Sequence, residues 1–348
     1  MLRLINVCKS YKFGKDRDVV LDNINVDFKK RELVFILGKS GSGEQIIDIV
    51  QEFENDNKLL NNNHSVDLIK LKEGNCLAQT FALYVDSSNH KSPYEHCIKM
   101  ANKFHEEIRL NNNIIKLATN YNEILNNENE GKLTALLAIE EGGVLEGKIE
   151  HLKEFYDLGV RMMTLTWNHE NEIGYPHNRP EFSKRGLKRF GEEVIEKMNE
   201  LGMIVDVSHL SDAGFYDVAR LSKKPFIATH SNARAMKNHS RNLNDDMIKI
   251  LANSGGVTGI NFCSAFLGNY EISYIKDMVR HIKHIRNIGG IDVVALGSDF
   301  DGIENKVEIS DVSEMGKLAI ELEKEGFTTT EIEKIYYKNA LRVIKDVL

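Results

Sequence analysis

The chain has 348 residues, of which 42% are hydrophobic and 28% charged, and a net charge of −7. That is enough chain for one large core or a core with an appendage, and its acidity leaves no basic stripe for a nucleic-acid partner. Four scattered cysteines, Cys8, Cys76, Cys97 and Cys263, form no CxxC pair, which excludes a cysteine zinc site and points to free thiols in a reducing compartment. No apolar run approaches the ~20 residues of a membrane span. Residues 1–18 lack the continuous apolar stretch of a signal peptide, so a cytoplasmic protein is expected.

Residues 2–7 and 19–28 are predicted strands flanking the polar stretch 12–18. A short apolar strand at 33–37 leads into the glycine-rich GKSGSGE. A helix is predicted at 44–60 from the spacing of Ile46, Ile47, Ile49, Val50 and Phe53. A strand at 77–85 and a helix at 93–110 follow, and the polar, asparagine-rich 111–131 is expected to contain a surface loop. The strand at 133–139 ends in Glu140-Glu141-Gly142-Gly143. After it come a helix at 147–158, a strand at 160–165, a long loop through Gly186 and a helix at 187–201. Strands at 203–207 and 225–229 each run into a histidine, His209 and His230, with a helix between them. The chain continues with a helix at 244–253, a strand at 256–262 and a helix at 272–287. A strand at 293–296 opens into GSDFDG at 297–302, and helices at 311–325 and 328–346 close the chain.

Seven predicted strands, from 77–85 onward, alternate with helices, the mark of a parallel sheet. One further unit makes an α/β fold of the (β/α)8 barrel kind; an open doubly wound sheet is the alternative. In either fold the residues just past the carboxyl ends of strands gather on one rim. Glu140, His209, His230 and Asp299 occupy such places. Two histidines and a glutamate suit zinc, which lowers the pKa of a bound water to about 7, and a nearby aspartate can take that water's proton. Each residue also has a plainer role. Glu140 can cap a helix, the histidines can close strands, and Asp299 or Asp301 can be turn residues between glycines.

Two resemblances are carried by longer stretches. Residues 1–44 resemble the start of an ABC-transporter ATP-binding subunit, through VVLDNINVDFKKRELVFILG and the loop at Gly38–Gly43. A working P-loop places lysine and a hydroxyl after its last glycine. Here those positions are Glu44 and Gln45, so nucleotide binding of the usual kind is not expected. From about Gln45 onward the chain resembles the membrane (renal) dipeptidases, zinc metallopeptidases on an amidohydrolase-type barrel. The resemblance rests on AIEEGGVLEG, FYDLGVRMMTLTWN, IVDVSHLS, PFIATHSNARAMKNHSRNLNDDMI, GSDFDGI and KNALRVI. It implies a division at residues 1–44 and 45–348, with the first barrel strand replaced by the ABC-like segment. It also implies a dipeptide substrate, with a homodimer left open. Glu140 corresponds to the carboxylate that bridges two zinc ions in the family, His209 and His230 to the histidines of the second zinc, Arg241 to the arginine that binds substrate carboxylate, and Asp299 to the catalytic acid/base.

Two departures matter. The histidine that steadies the transition state in some relatives corresponds to the Trp167-Asn168 position here. The first-strand H-x-D, which ligates the first zinc, has no counterpart, because His64 and Asp67 have the wrong spacing. One zinc instead of two, and weakened hydrolysis, are therefore expected. A non-catalytic barrel remnant that binds a small peptide is the competing expectation, and a nucleotide-binding subunit the more distant one.

Overall fold

A computed structural model describes residues 59–348 in full and, of residues 1–58, the backbone of three strands. The glycine-rich loop at 38–43 and nearly all of the helix predicted at 44–60 lie outside the described residues. β1 (Leu2–Phe13) and β2 (Asp16–Phe28) pair antiparallel in a compact unit of their own, Met1–Glu32. The second unit, Leu33–Leu348, is an α/β fold with a parallel sheet.

Its strands are β3 (Leu33–Phe35), β4 (Cys76–Tyr84), β5 (Ile115–Leu117), β6 (Leu133–Glu140), β7 (Val160–Thr164), β8 (Ile204–Asp206), β9 (Thr258–Ile260) and β10 (Val294–Leu296). Parallel ladders join β3 to β4, β4 to β6, β6 to β7, β7 to β8 and β9 to β10, while β5 pairs with the start of β6. Residues 225–229 join the sheet only through single parallel bridges, Ile227 to Asp206 and Ala228 to Thr258. They fill the place between β8 and β9. Some Cα atoms of β10 come within 8 Å of β3.

The helices are α1 (Leu68–Glu73), α2 (Pro93–Leu110), α3 (Tyr121–Asn129), α4 (Ile149–Asp157), α5 (Arg189–Leu201), α6 (Asp212–Leu221), α7 (Asp245–Asn253), α8 (Ser264–Leu267), α9 (Ile275–Gly289), α10 (Gly316–Lys324), α11 (Thr329–Glu333) and α12 (Asn339–Val347). Among the described residues none is long and apolar enough to cross a membrane. Strand side chains alternate between two cores, as the pleat requires. Ala138, Met162, Ile204, Ile227, Val257 and Ala295 share one cluster with Val343, Ile344 and Val347 of α12. Their neighbours Ile139, Met163 and Val205 belong to the other, with Val194, Ile195 and Met198 of α5.

Three segments differ from the sequence expectation. The stretch 111–131, expected to contain a surface loop, also holds β5 and α3. Its asparagines serve local structure: Asn120 caps α3 by accepting from the Glu123 N–H, and Asn127 is buried and donates to Thr134 Oγ1. α9 starts three residues later than predicted, because Ser273 is held in extended pairing with Lys306 and Glu308. The last helix is divided by a wider turn at Lys334–Lys338.

His281 of α9 ties this scaffold to the rim and gives a pH prediction. The Ala233 N–H donates to its Nδ1 at 3.1 Å, and its Nε2–H donates to the Leu267 carbonyl at 3.0 Å. The ring is therefore held neutral, and burial lowers its pKa from 6.5 to about 4. A depressed histidine binds its proton more readily in the unfolded chain. Its contribution is thus present above pH ~6.5 and is lost as pH falls toward 4, by roughly 3 kcal/mol in total. Urea unfolding of metal-free protein at pH 7 and pH 4.5 is expected to show this loss, with a shallower slope in His281→Gln. An unchanged slope in the variant would assign the effect elsewhere.

Candidate metal centre

Sheet register decides which side chains meet. Tyr84 pairs with Glu140, Glu140 with Thr164, and Thr164 with Asp206, so one row crosses four strands at their carboxyl ends. Glu140 is the last residue of β6 and is 1% exposed. His209 follows β8 by three residues, with a left-handed backbone (φ 68°) that β-strand geometry would not provide. His230 follows the bridge residues Ile227 and Ala228.

The three side chains converge. His209 Nε2 lies 3.3 Å from Glu140 Oε1, His230 Nε2 lies 3.6 Å from the same oxygen, and the two Nε2 atoms are 2.9 Å apart. Both Glu140 oxygens are buried, and among the described residues neither accepts a hydrogen bond. A buried carboxylate left this way is costly unless something else satisfies it. Burial, then the Asp299 and Asp206 charges, pushes the Glu140 carboxyl well above the usual range. Burial, with the Arg241 charge second, holds both imidazoles well below theirs. Two neutral imidazoles and one carboxylate are a donor set that suits zinc. Among the described residues this is the group of three or more His, Cys, Asp or Glu side chains close enough to hold an ion.

Arg241 and Asp299 border the cluster. Arg241 is 3% exposed; its Nη1 donates to Ser231 Oγ and its Nη2 to the His230 carbonyl, both at 3.1 Å. Its Nε is buried without a partner among the described residues. Asp299, fully buried with φ 60°, accepts from Asn261 Nδ2 at 3.0 Å. The same Asn261 amide lies 3.4 Å from the His230 carbonyl, so one side chain links Asp299 to the histidine strand end. Trp167 packs edge-on against Tyr84 at 5.0 Å, with its ring 6.4 Å from that of His209. Asp67 instead caps α1 and pairs with Lys70, and Asp301 holds the Ser65 and Val66 amides.

Four more residues belong to this neighbourhood and were not singled out from sequence: Asn261, Asp206, Thr229 and His177. The His177 N–H donates to the His209 carbonyl at 2.8 Å. Asp206 was findable in principle, since it is the one acid inside an otherwise apolar strand end (MIVDV). Nothing in the sequence separates His177 from its polar loop.

The family profile described as membrane dipeptidase (peptidase family M19) matches residues 39–348. The chain belongs to that family. Among curated relatives of this membrane dipeptidase family member, an uncharacterized dipeptidase of Schizosaccharomyces pombe is 31% identical over 84% of this chain and 74% of the relative. An uncharacterized protein from the pqqA 5′ region of Klebsiella pneumoniae is 39% identical over 63% of this chain and 84% of its own length. A solved metallopeptidase, dipeptidase AC, superposes with a TM-score of 0.80 at 25% identity, covering 87% of this chain and 96% of that one. A Rhodobacter sphaeroides metallopeptidase, solved with a phosphinate mimic of L-Ala-D-Ala, superposes at 0.83 with 23% identity. That match covers 92% of this chain and all of the other, and shows a shared fold.

Proposed function

We propose that this dipeptidase family member hydrolyses dipeptides at a single zinc held by Glu140, His209 and His230, with Asp299 moving the proton and Arg241 binding the substrate carboxylate. The observation that carries this reading is the buried Glu140 carboxylate, which has no hydrogen-bond donor among the described residues and faces two inward imidazole nitrogens. Zinc, when bound, supplies Lewis acidity to a scissile carbonyl and lowers the pKa of water to about 7. Asp299 then accepts the proton of the attacking water and returns it to the leaving amine, so that water and dipeptide give two amino acids. Asn261 holds that carboxylate in place. The Arg241 fork, with Nε still able to donate, matches a carboxylate in shape and charge.

The same reading takes the scaffold as a (β/α)8 barrel. Support comes from eight parallel segments in sequence order, the shared cluster of inward residues from β4 to β10, and the approach of β10 to β3. β3 takes the place of the first strand, and residues 1–44 are read as the ABC-like fragment. With no H-x-D in the sequence, the first zinc of the family loses two of its protein ligands, and turnover should be weak.

The test is metal analysis of purified protein together with hydrolysis of L-Ala-D-Ala, the dipeptide mimicked in the Rhodobacter sphaeroides structure. One zinc per chain with slow turnover is expected. Two zinc ions per chain would overturn the single-metal reading. Stoichiometric zinc with no hydrolysis of any L-D or L-L dipeptide would leave the peptide-binding remnant as the better account.

A further inference from the structure

The metal-facing nitrogen of His230 depends on a proton count that starts on the neighbouring strand. Asp206 is fully buried at the end of β8. Its Oδ1 accepts from the Ser208 and Thr229 backbone N–H groups, each at 2.9 Å. Its Oδ2 accepts from the hydroxyls of Thr164 and Thr229, each at 2.6 Å. A hydroxyl has one proton to give, and that of Thr229 goes to Asp206, the charged acceptor. Thr229 Oγ1 is then an acceptor only toward its other two neighbours, His230 Nδ1 at 2.6 Å and Ser208 Oγ at 3.1 Å. Ser208 Oγ in turn accepts the His230 backbone N–H at 3.1 Å. Every proton in the group has one consistent place, and His230 carries its own on Nδ1.

We propose that Asp206 and Thr229 are positioning residues, a carboxylate–threonine–imidazole relay that fixes His230 as the Nδ1–H tautomer and so presents the Nε2 lone pair to Glu140 and His209. This rests on the metal reading above only for its consequence. The tautomer itself is a property of the metal-free chain. A ligating histidine commonly gives its other N–H to a carboxylate or a carbonyl; here the carboxylate acts through an interposed hydroxyl. The short side chain of threonine lets Asp206 serve two backbone amides and two hydroxyls from one central position. Among the described residues His209 has no comparable relay: its Nδ1 faces Asn168 Oδ1 at 3.4 Å. The two ligands are therefore unequally held.

Two measurements test the proposal. Long-range proton–nitrogen spectra of histidine-labelled, metal-free wild type, assigned with a His230→Gln variant, are expected to show His230 as the Nδ1–H tautomer. The Nε2–H tautomer would overturn the relay whether or not the protein binds zinc. Zinc affinity by chelator competition is expected to fall about ten- to a hundredfold in Thr229→Val and to stay near wild type in Thr229→Ser, which restores the hydroxyl. Equal affinity in Thr229→Val and wild type, or equal weakness in both variants, would overturn it. Wild type that binds no zinc but shows the Nδ1–H tautomer would sink the metal reading and leave the relay standing.

Discussion

Replacing His209 by alanine is expected to remove zinc binding and dipeptide hydrolysis together, with activity falling by at least about a thousandfold, as when one member of a group that acts as a unit is deleted. Three ligand atoms share one small space, and His209 Nε2 is 3.3 Å from Glu140 and 2.9 Å from His230. Two remaining ligands do not make a closed zinc site. Stability supplies a readout independent of turnover. A ligand that binds only the folded chain at a hundred to a thousand times its Kd adds roughly 3–4 kcal/mol. Wild type should therefore unfold at higher temperature when zinc is in excess, and His209→Ala should not respond. The left-handed backbone at His209 calls for a control, because alanine is less at ease there than asparagine. His209→Asn should keep the metal-free midpoint nearer wild type and still lose the response. A zinc-induced shift retained in His209→Ala would remove His209 from the site.

The candidate site could be read from sequence as far as single residues at strand ends allow. Glu140, His209, His230 and Asp299 each stand at or just past a predicted strand, and repeated alternation of strand and helix puts such positions on one rim. What could not be read is lateral register. Asp206 meets Thr229 because Asp206 pairs with Ile227, and nothing in a run of apolar residues fixes that offset. Asn261 is invisible for a related reason: the two partners of its amide nitrogen, Asp299 and the His230 carbonyl, come from strands on either side of it. The fold shows the same division. Helix α2 has the bounds expected from a stretch with charge gathered on one side, Pro93–Leu110. Helix α3 was missed because its asparagines look like loop residues until their hydrogen bonds to Glu123 N and Thr134 are seen.

The same lateral packing yields the largest expected effect on stability. Gly297 begins the GSDFDG turn, and a Cβ built there would stand 1.8 Å from the Thr229 carbonyl oxygen. Gly259 on β9 faces that same oxygen, with a Cβ position 2.0 Å away. Two bare α-carbons thus make room for one carbonyl, and that carbonyl belongs to the residue immediately before His230. A clash with backbone cannot be relieved by a rotamer change, so the chain at 229–230 must move. Overpacking of this kind costs about 3 kcal/mol, and here the movement passes directly to a candidate ligand. Gly297→Ala is expected to lower the unfolding free energy measured in urea by that amount and to weaken zinc binding in the fraction that folds. Gly316→Ala is the matched control: among the described residues nothing beyond its chain neighbours and its own helix backbone lies within 4 Å of its Cβ position, and it opens α10, where alanine is favoured. It should be neutral or stabilising by up to ~1 kcal/mol. If both glycines tolerated alanine equally, close approach at Thr229 would not be what holds His230 against Glu140 and His209.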